Sequence, residues 1–365
     1  MPPPARLPLP RPLDILAAVI EFDLLAAANP VWETTWMMDS LPDEATALGT
    51  PAVEDGGGSS LNTACALAAA GWRVLAVGRV GDDDAGRASV GALRRRGVET
   101  RIEIAAGRVT KRNHLYVERR SARTAFQVFL PASSAPPWEE EPPALLEARI
   151  LWLDRLARMS PSWLGARRAV PACRNGLNRN SGIGTAETEE RFQRALPLLD
   201  FLQIPEETGS RVPDPRSGED RSEAHTGPPA VAAGTEIRPG ERPSDRTRIH
   251  RPSALPPLAA PAVASLMSPG LGVLIRTRGA DGVLLHVRRP AGASLGPEEI
   301  EVPASPTMVV DPTGAGDAFA AGFLDALLRG LTPAEGALRG VDWAARACRY
   351  PGARGWLDHE PPVRG

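Results

Sequence analysis

Near the end of the chain, Asp311-Pro312-Thr313-Gly314-Ala315-Gly316-Asp317 joins the apolar Met308-Val309-Val310 to a second apolar run, Ala318–Leu328. Met308–Val310 reads as a strand end, and the segment from Asp317 onward reads as an amphipathic helix. Glycines in the bend permit backbone angles closed to other residues and let a ligand approach the main chain. The unpaired N–H groups and the macrodipole at a helix start favour an anion, most often a phosphate. A carboxylate at the same place repels that anion, so Asp317 has two readings. It is a first-turn or capping acid, or it is a general base that takes a proton from a hydroxyl attacking a phosphoryl group held by the turn. The local pattern leaves both open.

Two other glycine-containing stretches bear on the choice. In "GGGSSLNTACALAAAGWRVLAVGRVGDDDAGR", Gly57 and Gly58 precede Asn62, whose amide both donates and accepts and so suits a diol. The plain alternative is a polar residue early in a helix. In "RTRGADGVLLH", Thr277, Gly279 and Gly282 form a turn that is either an ordinary hairpin or a place where the backbone passes close to a ligand.

Elements to hold these turns are legible on either side. "LDILAAVIEFDLLAAA" reads as a buried first strand, with helix as the alternative for so alanine-rich a run. An apolar helix from about Leu61 to Ala70 ends at Gly71, "RVLAVGRV" is a strand, and a second helix ends at Gly97. Polar and apolar residues alternate from Glu99 to Leu130, which suggests antiparallel strands; "ARILWLDRLA" returns to a central sheet. "GVLIRTRGADGVLLHV" is strand, turn and strand. Strands alternating with helices indicate an α/β fold with a parallel sheet.

Bulk properties limit the function. The 365 residues suffice for one large α/β domain. Basic and acidic residues number 42 and 44, so charge gives no case for nucleic acid or an anionic membrane as partner. Cys65, Cys173 and Cys348 are widely spaced and form no metal framework, which suits a reducing compartment. With no apolar leader before a small-residue cleavage site and no run long enough to span a bilayer, the expectation is a cytoplasmic protein. The 38 prolines are about twice the ordinary usage of roughly 5%. Fifteen of them fall in a leader, residues 1–12, and in residues 209–257. The latter are rich in Pro, Gly, Ser and mixed charges, too poor in large apolar residues to offset their ordering entropy, and read as a disordered insertion.

Together, "DPTGAGDAFAAGF", the Gly57–Asn62 stretch with Gly78, Val80, Gly81, Asp83 and Gly86 behind it, and Thr277-x-Gly279-x-x-Gly282 resemble the signatures of the PfkB, or ribokinase-like, family of sugar and nucleoside kinases. The motifs stand in family order. The resemblance implies a three-layer α/β/α sandwich with a small β-sheet lid, here a kinase domain over residues 13–358 with lid segments near 34–53 and 100–130. It implies ATP and Mg²⁺ as cofactors and a sugar-like acceptor, and a homodimer through the lid is an expectation of the same origin. By the same resemblance, Gly314, Ala315 and Gly316 form the anion hole and Asp317 is the catalytic base. Thr277, Gly279, Gly282 and Thr313 line the nucleotide site; Gly57, Gly58 and Asn62 bind the acceptor.

Some family positions are altered. The acceptor-binding aspartate at the end of the first strand maps best to Asp23, although the glycine usually found before it is missing. In "LLDFLQIPEETGS", Pro205 and Thr208 stand where the family's N-x-x-E motif has asparagine and glutamate, so Glu206 or Glu207 is left to handle metal. The irregular "PACRNGLNRNSGIG" stands in place of the strand before it. The alternatives are a nucleoside kinase of the same family and an impaired regulator that binds sugar or nucleotide.

Overall fold

A computed structural model describes residues 20–39, 49–118, 124–129, 145–154, 161–179, 186–206, 260–267, 270–289 and 296–363. The leader, the 209–257 insertion and Glu207 lie outside the described residues.

The strands are β1 (Phe22–Ala27), β2 (Val31–Met38), β3 (Gly49–Gly57), β4 (Val74–Gly81), β5 (Glu99–Ala105), β6 (Arg112–Glu118), β7 (Thr124–Phe129), β8 (Ala148–Leu153), β9 (Arg174–Asn178), β10 (Phe201–Pro205), β11 (Val273–Thr277), β12 (Val283–Val287) and β13 (Glu298–Val302). The described helices are α1 (Ser59–Ala69), α2 (Asp84–Arg95), α3 (Pro161–Arg168), α4 (Ala186–Ala195), α5 (Ala260–Leu266), α6 (Ala315–Leu328), α7 (Pro333–Ala347) and the single turn α8 (Trp356–His359).

Nine strands form one sheet in the order β13-β12-β11-β10-β9-β8-β1-β4-β5. From β11 to β5 neighbours run parallel, while β12 and β13 add an antiparallel edge. A parallel sheet covered on both faces needs strands that are apolar throughout rather than alternating. In β1, Leu24 and Ala26 join a core shared with α1, α6 and α7, whereas Leu25 and Ala27 join a second core with α3, α4 and α5. These cores make the sandwich. A smaller sheet, β3-β2-β6-β7, stands apart from it.

The structure corrects three sequence expectations. First, β5 is not part of an antiparallel set: it pairs parallel to β4, and β6 pairs parallel to β2, leaving β6–β7 antiparallel. β5 closes the edge of the main sheet with much of its length exposed, and a half-solvated edge strand alternates whatever its direction. Second, Arg174–Asn178 is a strand, inserted between β8 and β10 and paired parallel to both. Asn175 is satisfied internally: it donates to the carbonyls of Leu164 and Leu198 and accepts from Arg167 Nε. Gly176 leaves room for the Trp152 indole, which a Cβ would approach to 2.3 Å. Third, Met308–Val310 forms no strand; the N–H groups of Val310 and Asp311 donate instead to Cys348 O beyond α7.

Candidate active site

α6 begins at Gly314, held at φ 78°, where a side chain would also strike Ala353. The N–H groups of Ala315 and Asp317 turn back to the carbonyls of Pro312 and Gly314. This leaves the N–H groups of Gly314 and Gly316 without hydrogen bonds among the described residues. Asp311 is fully buried and ties the bend down, accepting from Thr313 N at 2.9 Å and Gly352 N at 2.7 Å. From β10, Gln203 Nε2 donates to Gly316 O at 2.9 Å.

Asp317 lies in the first turn of α6 and is 7% exposed. Its Oδ1 accepts from Ser59 Oγ at 2.5 Å and from Asn178 Nδ2 at 3.4 Å; its Oδ2 accepts from Asn62 Nδ2 at 2.8 Å. Thr63 Oγ1 donates to Asp317 O at 3.1 Å. The first turns of α1 and α6 and the end of β9 therefore meet at one carboxyl group. Burial raises its pKa from 3.8 to about 6 against the hydrogen bonds from Ser59 and Asn62, with Asp154 and Glu33 pushing in the same direction as burial. A carboxylate poised there is suited to accept a proton near neutral pH.

Gly57 ends β3 and Gly58 precedes α1 at φ 114°. A Cβ on Gly57 would fall 2.1 Å from the Glu33 carboxyl carbon, so the glycine leaves that carboxylate its space. Glu33, from β2, accepts from Asn113 Nδ2 at 2.7 Å. Burial raises its pKa, opposed by that hydrogen bond and by the charges of Arg354 and Lys111. Asn62 is committed on both sides of its amide, because its Oδ1 accepts from Arg354 Nε at 2.8 Å.

Two sequence candidates are not brought here. Asp23 lies at the start of β1, the opposite end of the strand from Asn29, where it accepts from Arg73 N and pairs with Arg149 at 3.3 Å. The carboxylate beyond the other end of β1 is Glu33, in β2. Glu206 pairs with Arg276 in a buried contact, and His286 lies 3.2 Å from the same guanidinium. No group of three His, Cys, Asp or Glu side chains among the described residues is arranged to hold a metal. Glu206 is thus held in an ion pair with Arg276.

Thr277 ends β11, its Oγ1 3.5 Å from Ile204 O. Gly279 has φ 57° with open space around it, but Gly282 packs so close to Val302 O that a Cβ would sit at 2.2 Å. Gly282 is thus fixed by the β11–β12 hairpin and its packing on β13. Thr313 Oγ1 is buried without a hydrogen-bond partner among the described residues.

Sequence reasoning missed Ser59, Glu33, Asn178, Gln203 and Arg354. Ser59 stands next to the paired glycines, and Glu33 is the one acid in "NPVWETTWMM"; those were the available signals. Asn178 and Gln203 are cross-strand partners on β9 and β10, invisible while β9 is read as irregular.

The model of the pfkB family carbohydrate kinases matches residues 31–161 and 254–359. The chain belongs to that family. Among solved structures, it is similar to a probable sugar kinase from Rhizobium etli CFN 42, at 15% identity and TM-score 0.64 over 93% of this chain and 98% of that one. An adenosine kinase from Sinorhizobium meliloti gives 17% and 0.63 over 93% and 98%. A ribokinase from Arabidopsis thaliana, complexed with ribose and ATP, gives 19% and 0.60 over 92% and 98%. At such identities these likenesses show the ribokinase-like fold. No curated protein sequence matches the chain. No helix among the described residues is long and apolar enough to cross a membrane.

Proposed function

We propose that the protein transfers the terminal phosphoryl group of ATP to a hydroxyl of a sugar or sugar-like molecule, with Asp317 as general base. The observation that carries this reading is the buried Asp317 carboxylate, held by neutral donors beside a glycine bend in which the N–H groups of Gly314 and Gly316 have no acceptor among the described residues. A hydroxyl placed against Asp317 gives up its proton as its oxygen attacks the phosphoryl group. The Gly314–Gly316 bend and the α6 N-terminus meet the charge developing on the phosphoryl oxygens, at no cost in reorganisation. On the acceptor side, Glu33 offers hydrogen-bond acceptors, and Gly57 and Gly58 keep the wall open. Thr277, Gly279 and Thr313 lie on the nucleotide side. The experiment is a coupled ADP-release assay over a panel of sugars and nucleosides, run on the native protein and on Asp317→Asn. Acceptor-dependent ADP release that Asp317→Asn abolishes is the expected result. Ligand binding without turnover in the native protein would make it a binding regulator instead.

A further inference from the structure

Arg354 lies in the loop between α7 and α8 and is 2% exposed. Its Nε donates to Asn62 Oδ1 at 2.8 Å, and Asn62 Nδ2 donates to Asp317 Oδ2 at 2.8 Å. A guanidinium has only donors. It therefore holds the oxygen of the Asn62 amide to itself and leaves only the NH₂ group for Asp317. With Asn62 turned the other way, its oxygen would repel an ionised Asp317 and accept from a protonated one. Neither Nη1 nor Nη2 finds a hydrogen-bond partner among the described residues, and Nη1 lies 2.9 Å from where a Cβ on Gly56 would sit. The charged and titratable groups around this relay are Glu33 and Asp154, which act on Asp317; Lys111 and Asp55, which with Arg354 act on Glu33; and the buried Cys65 thiol, on which Arg354, Arg96 and Asp55 act.

We propose that Arg354 is a positioning residue for the proton transfer: it fixes the Asn62 amide in the orientation that donates to Asp317 and so favours the ionised, proton-accepting carboxylate. The proposal rests on the reading of Asp317 as the base. Its mechanism is orientational, so its effect must vanish when Asn62 has no amide to orient.

The test follows the Asp317 carboxyl carbon by ¹³C NMR across pH, assigned by its loss in Asp317→Asn, in the full chain. Arg354→Met, which has no donor, is expected to raise the titration midpoint by about half a unit or more. Arg354→Gln, a smaller change offering either a donor or an acceptor, is expected to shift it less in the same direction. Turnover in both is expected to fall by a larger factor at pH 6 than at pH 8. In an Asn62→Ala background, Arg354→Gln should shift the midpoint little. An unchanged midpoint in the folded variants overturns the proposal, whether both fold or only Arg354→Gln does. A shift of equal size in the Asn62→Ala background also overturns it, since the charge would then act directly. Titration needs no turnover: a native protein without kinase activity but with these shifts would refute the proposed function and leave the coupling standing.

Discussion

α6 carries two buried aspartates that the protein treats in opposite ways. At its N-terminus, Asp317 is held by a hydroxyl and two amides, all neutral. About two turns on, fully buried Asp325 accepts from Trp72 Nε1 at 2.7 Å and pairs with both Arg329 and Arg339. One carboxylate keeps much of its desolvation cost, which is what raises its proton affinity. The other is neutralised by cations and cross-links α6 to α7 and to the segment after α1. A buried acid bonded by neutral donors is chemically available; one flanked by arginines is a fastener.

The contrast can be broken by exchanging acid for amide at each place. Asp317→Asn should lower turnover by about 10²–10⁴ with nucleotide affinity little changed, measured by steady-state kinetics and calorimetric titration. Glu206, in its buried pair with Arg276, is expected to fall with Asp325 in this division. Glu206→Gln should cost roughly 3–5 kcal/mol in denaturant unfolding, while the Mg²⁺ concentration giving half-maximal turnover stays within about twofold. A larger change in that concentration would return Glu206 to the metal. Asp325→Asn should cost about 2–4 kcal/mol, less because Arg329 and Arg339 are partly exposed, with turnover per folded molecule unchanged.

The smallest effect is the sharpest. Since the folded protein holds Asp317 at about 6 against an ordinary 3.8, it binds the extra proton more tightly than the unfolded chain does. That contribution to stability is fully present below pH 3.8 and lost as pH rises through 6. Asparagine has no such loss. The stability of Asp317→Asn relative to the native protein should therefore rise by up to about 3 kcal/mol between pH 4 and pH 7. A flat difference across that range would mean the carboxylate is solvated. The same ionisation should give the native enzyme a rising limb near pH 6 in kcat/KM.

Much of the scaffold was readable because burial on both faces writes itself as uninterrupted apolar runs, as in β1, β4 and β11. The glycine bend was readable because Gly314 needs a left-handed backbone and a side chain there would strike Ala353. β9 was not, because "RNGLN" buries polar groups whose partners, Arg167, Leu164 and Leu198, are distant in sequence or carry no mark as partners. Asp23 was named and Glu33 was not, because an acid within a strand carries no mark of which end of the strand lies toward the glycine bend. Arg354 could not be found at all: what it touches lies nearly the whole chain away, at Asn62.

The loop after α7 reaches both ends of the glycine bend. Gly352 N holds Asp311, Cys348 O receives the N–H groups of Val310 and Asp311, Ala353 packs on Gly314, and Arg354 reaches Asp317 through Asn62. All these groups come from residues 348–354, after every strand of both sheets. As the chain leaves the ribosome, the sandwich has its full set of strands before the bend has its brace. Phosphoryl transfer would then begin only once translation has passed this loop, so a prematurely terminated chain that keeps its sheets would lack a competent site.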